Sequence, residues 1–343
     1  MQPSIKNIRD LSVAMLFSLI LYSVDLAAAI RIGMSSTADS VNSGIYVWVR
    51  TFADELERGG IQATIYPSST LGNEMVRSNQ VLMGLLEVNV TGTQEIEVYS
   101  KLIAAIDLPF FFKNNQEAAA LFHHTGFQLD LNQATTPHGI RVVDLTTMGG
   151  MSGLFTARAP IKIVKDISKF RMRAMVAEQI DWVERWGGAA THVAWEEVPQ
   201  ALQTGIVDGY INPPIVAILF AHGGQLDYFT DIAITPSVRV VVFSEVWYQG
   251  LSAADREVVD HAVEMAGLAN RAWTSQAVER EYALLNSIGI EVVQLTELER
   301  AGFREPLLQT YKNVLSSETL EIIEQYMQKT RLHLLQHLGE VSE

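Results

Sequence analysis

The 343-residue sequence contains no cysteine. That absence removes disulfides, thiolate nucleophiles, thiolate metal sites and lipidation of an N-terminal cysteine. Basic blocks are missing too. Twenty-five Lys and Arg stand against 39 Asp and Glu, a formal charge of −14 with no Lys/Arg cluster, so the chain lacks the basic stripe that nucleic acid needs. No apolar run beyond the N-terminus is long enough for a transmembrane helix. Catalytic signatures are lacking as well: there is no H-E-x-x-H, no Walker loop, no G-x-G-x-x-G. The stretch GGMSGLF (149–155) comes close to a nucleophile elbow, but its second glycine falls one position early. His123 and His124 are neighbours on a helical stretch, so they diverge by about 100° and cannot share a metal through one face. Glu196 and Glu197 diverge likewise and read as charges at a helix start. No catalytic residue, metal or cofactor is expected.

What is present begins with an export signal. Lys6 and Arg9 precede an apolar core at 11–24, and Ala27 and Ala29 form an A-x-A site. Residues 1–29 therefore read as a cleavable signal peptide, cut after Ala29, which implies export, and the lack of cysteine fits a bacterial periplasm better than a eukaryotic extracellular space. The rest, 48% hydrophobic over the whole chain, is long enough for two lobes that each bury a core.

Apolar spacing predicts strands at 30–36, 61–67 and 85–92, with helices at 43–60 and 73–84 between them. This β-α-β-α-β order implies a mostly parallel sheet covered by helices. QVLMGLLEVNV (80–90) and QALQTGIVDGYIN (200–212) share a helix-Gly-aliphatic-acid-strand pattern, one copy in each half. The second half also runs strand (170–175), helix (177–187), strand (191–195), helix, strand. The fold class is thus α/β, with two lobes built from similar units. Residues 251–289 read as helical almost throughout, and about 35 residues at 1.5 Å each reach on the order of 50 Å. A helix of that length suits a brace across both lobes. A strand at 290–295 and helices at 297–313 and 316–334 complete the chain.

One feature points to binding. Alternation in KFRMRAM (169–175) puts Phe170, Met172 and Ala174 on one face and Arg171, Arg173 and Met175 on the other. Arginine inside a strand needs a partner, and its planar fork binds carboxylates bidentately. An exposed edge-strand face or an internal ion pair accounts for the same pattern equally well.

The segments IYPSSTLGNEMVRSNQVLMG (65–84), AAIDLPFFFKN (104–114), KFRMRAM and EEVPQALQTGIVDGYINP (196–213) together resemble the DctP-type substrate-binding proteins of TRAP (tripartite ATP-independent periplasmic) transporters, from about Ile30 to about Arg331. The resemblance implies a periplasmic-binding-protein-like fold with mixed sheets, a hinge between the lobes and one long helix bridging both. Lobe I is expected at 30–150 plus about 239–275, lobe II at 151–238 plus about 276–335, and a C-terminal tail at 336–343. It also implies a monomer that captures a small organic acid by lobe closure and delivers it to a membrane permease. Arg173 matches the family's carboxylate-binding arginine, Trp195 its aromatic wall, Asn212 its cleft asparagine and Glu74 an acidic residue near the site. Tyr210 stands where relatives vary. Many relatives carry a second arginine where this chain has Ser152 and Gly153, so a single-arginine site for a smaller or less acidic ligand is expected. A small amine, or service to a membrane sensor, is the alternative.

Overall fold

The structure is a computed structural model that describes residues 29–338; the expected signal peptide lies, but for Ala29, outside the described residues. Two mixed sheets organise the chain. The first has the order β2-β1-β3-β10-β4. It is made of β1 (Ile30–Gly33), β2 (Ala63–Tyr66), β3 (Val88–Thr91), β4 (Ile140–Thr147) and β10 (Val238–Ser244). The second has the order β11-β9-β5-β8-β6-β7. Its strands are β5 (Gly153–Thr156), β6 (Arg171–Ala174), β7 (Ala189–His192), β8 (Gly209–Asn212), β9 (Tyr228–Asp231) and β11 (Glu291–Gln294).

The β-α-β-α-β reading of the N-terminal third is observed. β1 pairs in parallel with β2 and β3, and helices α1 (Gly44–Arg58) and α2 (Glu74–Leu82) make the crossovers. Each helix starts on a polar cap: Ser43 Oγ accepts from the Tyr46 N–H and Asn73 Oδ1 from the Val76 N–H. The buried face of α1 presents Trp48, Val49, Phe52 and Leu56 to the sheet. What makes the sheet mixed is β10, which returns from the second half of the chain and lies antiparallel between β3 and β4.

The chain passes between the sheets at Met148–Ser152 and again at Ile232–Ser237. These two crossings run side by side as a hydrogen-bonded ribbon. Met148 N donates to Ser237 O (2.8 Å), Ser152 N to Thr235 O (2.9 Å) and Ile234 N to Ser152 O (2.9 Å). Asn115 clamps both, donating to Gly149 O (2.7 Å) and accepting from Ser237 N (3.0 Å).

The brace at 251–289 forms, but as two helices: Ala253–Ser275 and Ala277–Ser287, meeting at Gln276 with φ −105° and ψ −4°. No glycine or proline marks the break. It falls where the first segment, packed on α1 and β4, gives way to the second, packed on the short helix Ile215–Leu219 and β11. Tertiary packing, rather than local propensity, sets the bend. The stretch expected as one helix at 297–313 is likewise divided into Glu297–Arg304, a 3₁₀ segment Glu305–Thr310 and the single turn Tyr311–Val314. Pro306 has no N–H to extend the first of these. A further correction concerns the C-terminal helix Ser317–Leu338. The expected division places it with lobe II, but it packs on Asn115–His124 of the first half, where Ile323, Tyr326 and Met327 join the cluster of Phe122, Phe127 and Val142.

Candidate ligand-binding site

A cavity of about 770 Å³ opens between the two sheets. Four of the five residues singled out in the sequence line it: Glu74, Arg173, Trp195 and Asn212.

Arg173 sits inside the second sheet, with Thr191 of β7 and Tyr210 of β8 as register partners. It is only 4% exposed. Arg171, two residues earlier on the same strand face, is exposed and spends its guanidinium on Gly205 O. Alternation alone could not separate the two; the depth of the strand end does. Arg173 Nε donates to Val193 O (2.9 Å), and its guanidinium carbon lies 5.5 Å from the Trp195 ring centre. Among the described residues no carboxylate forms an ion pair with it. Burial, aided by the neighbouring charge of Arg239, pulls its pKa down to about 10, so it stays charged at neutral pH. A buried guanidinium with one carbonyl and one aromatic face for company is an anion site in waiting.

Trp195 is half-buried and heads an aromatic cluster. Phe220 meets it edge-on at 4.9 Å and His222 lies at 5.5 Å. Asn212 closes β8, as the Pro213–Pro214 pair after it predicts, since proline cannot extend a central ladder. Its side-chain Nδ2 is buried without a hydrogen-bond partner among the described residues, while the residue itself lines the cavity.

Glu74 is at the site but is already engaged. It accepts from Ser35 Oγ (3.1 Å), Gly92 N (3.2 Å) and Gln94 Nε2 (3.1 Å), and lies 3.4 Å from a guanidinium nitrogen of Arg239. Tyr210 is the residue the structure does not bring to the cavity wall. It is fully buried in β8, with its hydroxyl 2.9 Å from His222 Nδ1. The expectation of direct contact is therefore replaced by support from behind: Tyr210 holds His222, which does line the cavity. Burial pushes the His222 pKa down to about 4 and raises that of Tyr210 well above its ordinary value, so the pair is neutral at pH 7.

The expectation of a single-arginine site is also overturned. Position 153 cannot carry a side chain: a Cβ there would come within 2.6 Å of the Phe229 ring and of Thr230 O. A second guanidinium comes instead from Arg239 on β10, in the facing sheet. A third, Arg77, is buried just behind, bound by Asn89 Oδ1 (2.8 Å), Gly72 O (2.5 Å) and Ser35 Oγ (2.7 Å). Arg239 had the same signal as Arg173, one arginine inside the β-branched run SVRVVVF, but β10 lies in none of the segments that marked the site and joins it from the other sheet. His222 offered no signal at all.

Comparison with known proteins places the chain in a family. Residues 34–318 match the family described as bacterial extracellular solute-binding protein, family 7. The sialic acid-binding periplasmic protein SiaP of Vibrio cholerae is 24% identical over 312 residues, covering 90% of this chain and 94% of SiaP. The 2,3-diketo-L-gulonate-binding periplasmic protein YiaO of Escherichia coli is 22% identical over 289 residues, 82% of this chain and 85% of YiaO. Among solved structures, a TRAP periplasmic solute-binding protein from Polaromonas sp. bound to D-erythronate is similar in fold at 24% identity. Its TM-score is 0.79, with 87% of this chain and 98% of that one covered. A second, from Chromohalobacter salexigens with bound D-glucuronate, has a TM-score of 0.79 at 18% identity, with 88% and 100% covered. With the match running through both sheets and the cleft between them, the chain belongs to family 7 of the bacterial extracellular solute-binding proteins, the substrate-binding proteins of TRAP transporters.

Proposed function

We propose that this protein captures a small organic acid in the cleft between its sheets and hands it to a membrane permease. The observation that carries the reading is Arg173: a charged, buried guanidinium that no carboxylate of the described residues neutralises. Sialic acid, diketogulonate, erythronate and glucuronate, the ligands of the four similar proteins named above, are all carboxylic acids. In this reading the carboxylate takes the Arg173 fork, Asn212 donates to a ligand oxygen, and Trp195 covers the ligand's apolar part. Of the carboxylates that line the cavity, Glu74 is paired with Arg239, while Glu95 and Glu196 also face the space; what favours an acid over an amine is the buried charge of Arg173. The solute-binding family and the absence of a catalytic signature in the sequence both speak for binding without turnover.

The same proposal includes cleavage of the leader after Ala29, residence in the periplasm, and action as a monomer. The lobes follow sheet membership: 30–150 and about 239–275 in one, 151–238 and the residues after 276 up to the C-terminal helix in the other, with that helix returned to the first.

Arg173→Ala should weaken binding of the cognate acid by about 2–5 kcal/mol, the range for removing one member of a buried charge pair. The ligand is found by a thermal-shift screen of organic acids, sugar acids, sulfonates and amines, because a ligand at 100 times its dissociation constant adds about 2.7 kcal/mol of stability. Calorimetry on the hit then reads the mutant. An unchanged dissociation constant, or a screen in which only amines shift the melting temperature, would overturn the carboxylate reading.

A further inference from the structure

Arg173, Arg239 and Asn212 line two spaces at once, the main cavity and a compartment of about 110 Å³. They therefore stand at the neck between the two. The compartment has room for only a few non-hydrogen atoms, and Glu97, Asp107 and Glu178 line it. A carboxylate gripped at the neck by Arg173 cannot send its body, or a second carboxylate, that way. The body has to extend into the 770 Å³ cavity.

The part of that cavity nearest Arg173 is aromatic. Trp195 is half-buried, so part of its ring is open to the space, and the Arg173 guanidinium carbon lies only 5.5 Å from the ring centre. Phe220 and His222 line the same space and pack on Trp195 at 4.9 Å and 5.5 Å. His222 adds little polarity: its Nδ1 is 2.9 Å from the Tyr210 hydroxyl, and burial keeps the imidazole neutral at pH 7. Met75, on α2, is 59% exposed and lines the cavity from the first lobe. An unbranched thioether there can fold over an aromatic ring.

The polar side chains on the first-lobe side are largely engaged with one another. Ser35 Oγ donates to Glu74 and accepts from Arg77. Ser36 Oγ is tied to Ser43 Oγ, and Asn73 Oδ1 caps α2. Glu95 lies in the field of Glu74 and Arg77, and Glu196 is exposed. A sugar acid carries a hydroxyl on nearly every carbon, and each one buried against such a wall needs a partner or weakens binding. A second carboxylate fares no better. Of the three guanidiniums, Arg77 and Arg239 already have side-chain acceptors, and Arg173 has none among the described residues.

We infer that the cleft selects an arylalkanoic acid, a single carboxylate joined by a short linker to an aromatic ring, with Arg173 holding the carboxylate and Trp195, Phe220 and His222 packing the ring. This rests on the carboxylate reading of Arg173 and names the body that goes with the carboxylate. The 5.5 Å from guanidinium carbon to indole centre suits a linker of roughly one to three carbons at about 1.5 Å per bond. The class departs from the hydroxylated acids bound by the two solved relatives named above.

Calorimetry compares phenylacetate, 3-phenylpropanoate and indole-3-acetate with D-glucuronate, D-erythronate and succinate. It adds 3-phenylpropan-1-ol, which keeps the ring and lacks the carboxylate. At least one aryl acid should bind wild type about tenfold or more tightly than each of the three polar acids, the scale of one buried polar group left without a partner. Trp195→Ala should lower that affinity about tenfold or more, and Trp195→Phe, which keeps a ring, by less. The ranking in wild type needs no variant and holds as a test even where one fails to fold. A polar acid that binds within tenfold of the best aryl acid, or an aryl acid bound equally by wild type and Trp195→Ala, overturns the inference and leaves the carboxylate reading standing. If 3-phenylpropan-1-ol binds as tightly as 3-phenylpropanoate, or no acid of the panel binds, the carboxylate reading itself falls and the inference with it.

Discussion

At the scale of single residues, the cleft shows how one amino-acid type takes three roles according to its surroundings. Arg77 is consumed by backbone and side-chain acceptors and holds the loop before α2. Arg239 is half-engaged by Glu74, and Arg173 has no acidic partner among the described residues. Arg239→Ala is therefore expected to weaken acid binding by about 1.5–3 kcal/mol, the range for a hydrogen bond to a charged group, and by less than Arg173→Ala. Titration calorimetry with the cognate acid checks the order of the two losses; equal losses would mean that Arg239 is not held back by Glu74. Outside the cleft, Glu281 offers a test by pH. It is wholly buried against the ribbon between the sheets, accepts from Gly150 N (2.9 Å), and its other oxygen is unpartnered among the described residues. Burial raises its pKa from 4.5 to about 7. The folded state thus holds this proton more tightly than the unfolded chain. The stabilisation is complete below the unfolded value of about 4.5 and is lost as pH rises through about 7. The loss is on the order of 3 kcal/mol at about 1.4 kcal/mol per unit. Asp107, raised to about 6 by burial, adds in the same direction. Urea unfolding at pH 5 and pH 8 should show the decline, and Glu281→Gln, which keeps the acceptor for Gly150, should flatten much of it. A slope identical in mutant and wild type would show that Glu281 is ionised in the native protein.

At the scale of elements, the second half-site is made by a stop. The helix Val198–Gln203 ends at Gly205, whose φ of +70° belongs to the left-handed region. The chain then turns into β8 and delivers Asn212 to the cleft. Gly205→Ala should destabilise the protein by about 1–2 kcal/mol, the cost of that region for a residue with a Cβ. The nearest atom to the added methyl is 3.6 Å away, so no clash contributes. Ligand affinity should hold, because the folded geometry need not change; denaturant titration alongside calorimetry separates the two effects. This element was readable in the sequence: Gly205 as a stop, Pro213 and Pro214 as the strand's end, Asn212 between them. The helices at 43–60 and 73–84 were readable for the same reason, since their caps act within three residues of themselves. The misreadings share the opposite property. The bend at Gln276 and the docking of Ser317–Leu338 under the first half depend on partners distant in sequence. Arg239 belongs with Glu74 across 165 positions of chain. Tyr210 is placed at the cleft by standing where relatives vary, but that position says nothing of how deep the side chain lies, and it is fully buried. Local chemistry wrote the turns and caps; the assembly of the site from two sheets is long-range and left no local mark.

At the scale of the whole molecule, the arrangement couples binding to shape. The first sheet brings Arg239 and the second brings Arg173, and the charge of Arg239 helps to lower the pKa of Arg173. The two guanidiniums repel across the cleft, which opposes approach of the sheets when no anion lies between them. A carboxylate at the neck reverses the sign of that interaction, a differential contact of the kind any ligand-driven closure requires. The ribbon at 148–152 and 232–237 is the natural place for the motion. It is narrow, and position 149 admits no side chain: a Cβ at Gly149 would meet Glu281 Oε1 at 2.1 Å. Closure should be visible in solution. A chain of this length is expected to have a radius of gyration of roughly 20 Å, and saturating cognate acid should reduce it measurably in X-ray scattering. The Arg173→Ala/Arg239→Ala double variant removes both the repulsion and the anion's hold. It should therefore show a radius that does not depend on the acid at the concentration that saturates wild type, and its ligand-free radius should be no larger than that of the ligand-free wild type. If the double variant instead contracts with the acid as the wild type does, the arginine pair is not what ties binding to closure, and the motion must be driven from the aromatic wall around Trp195.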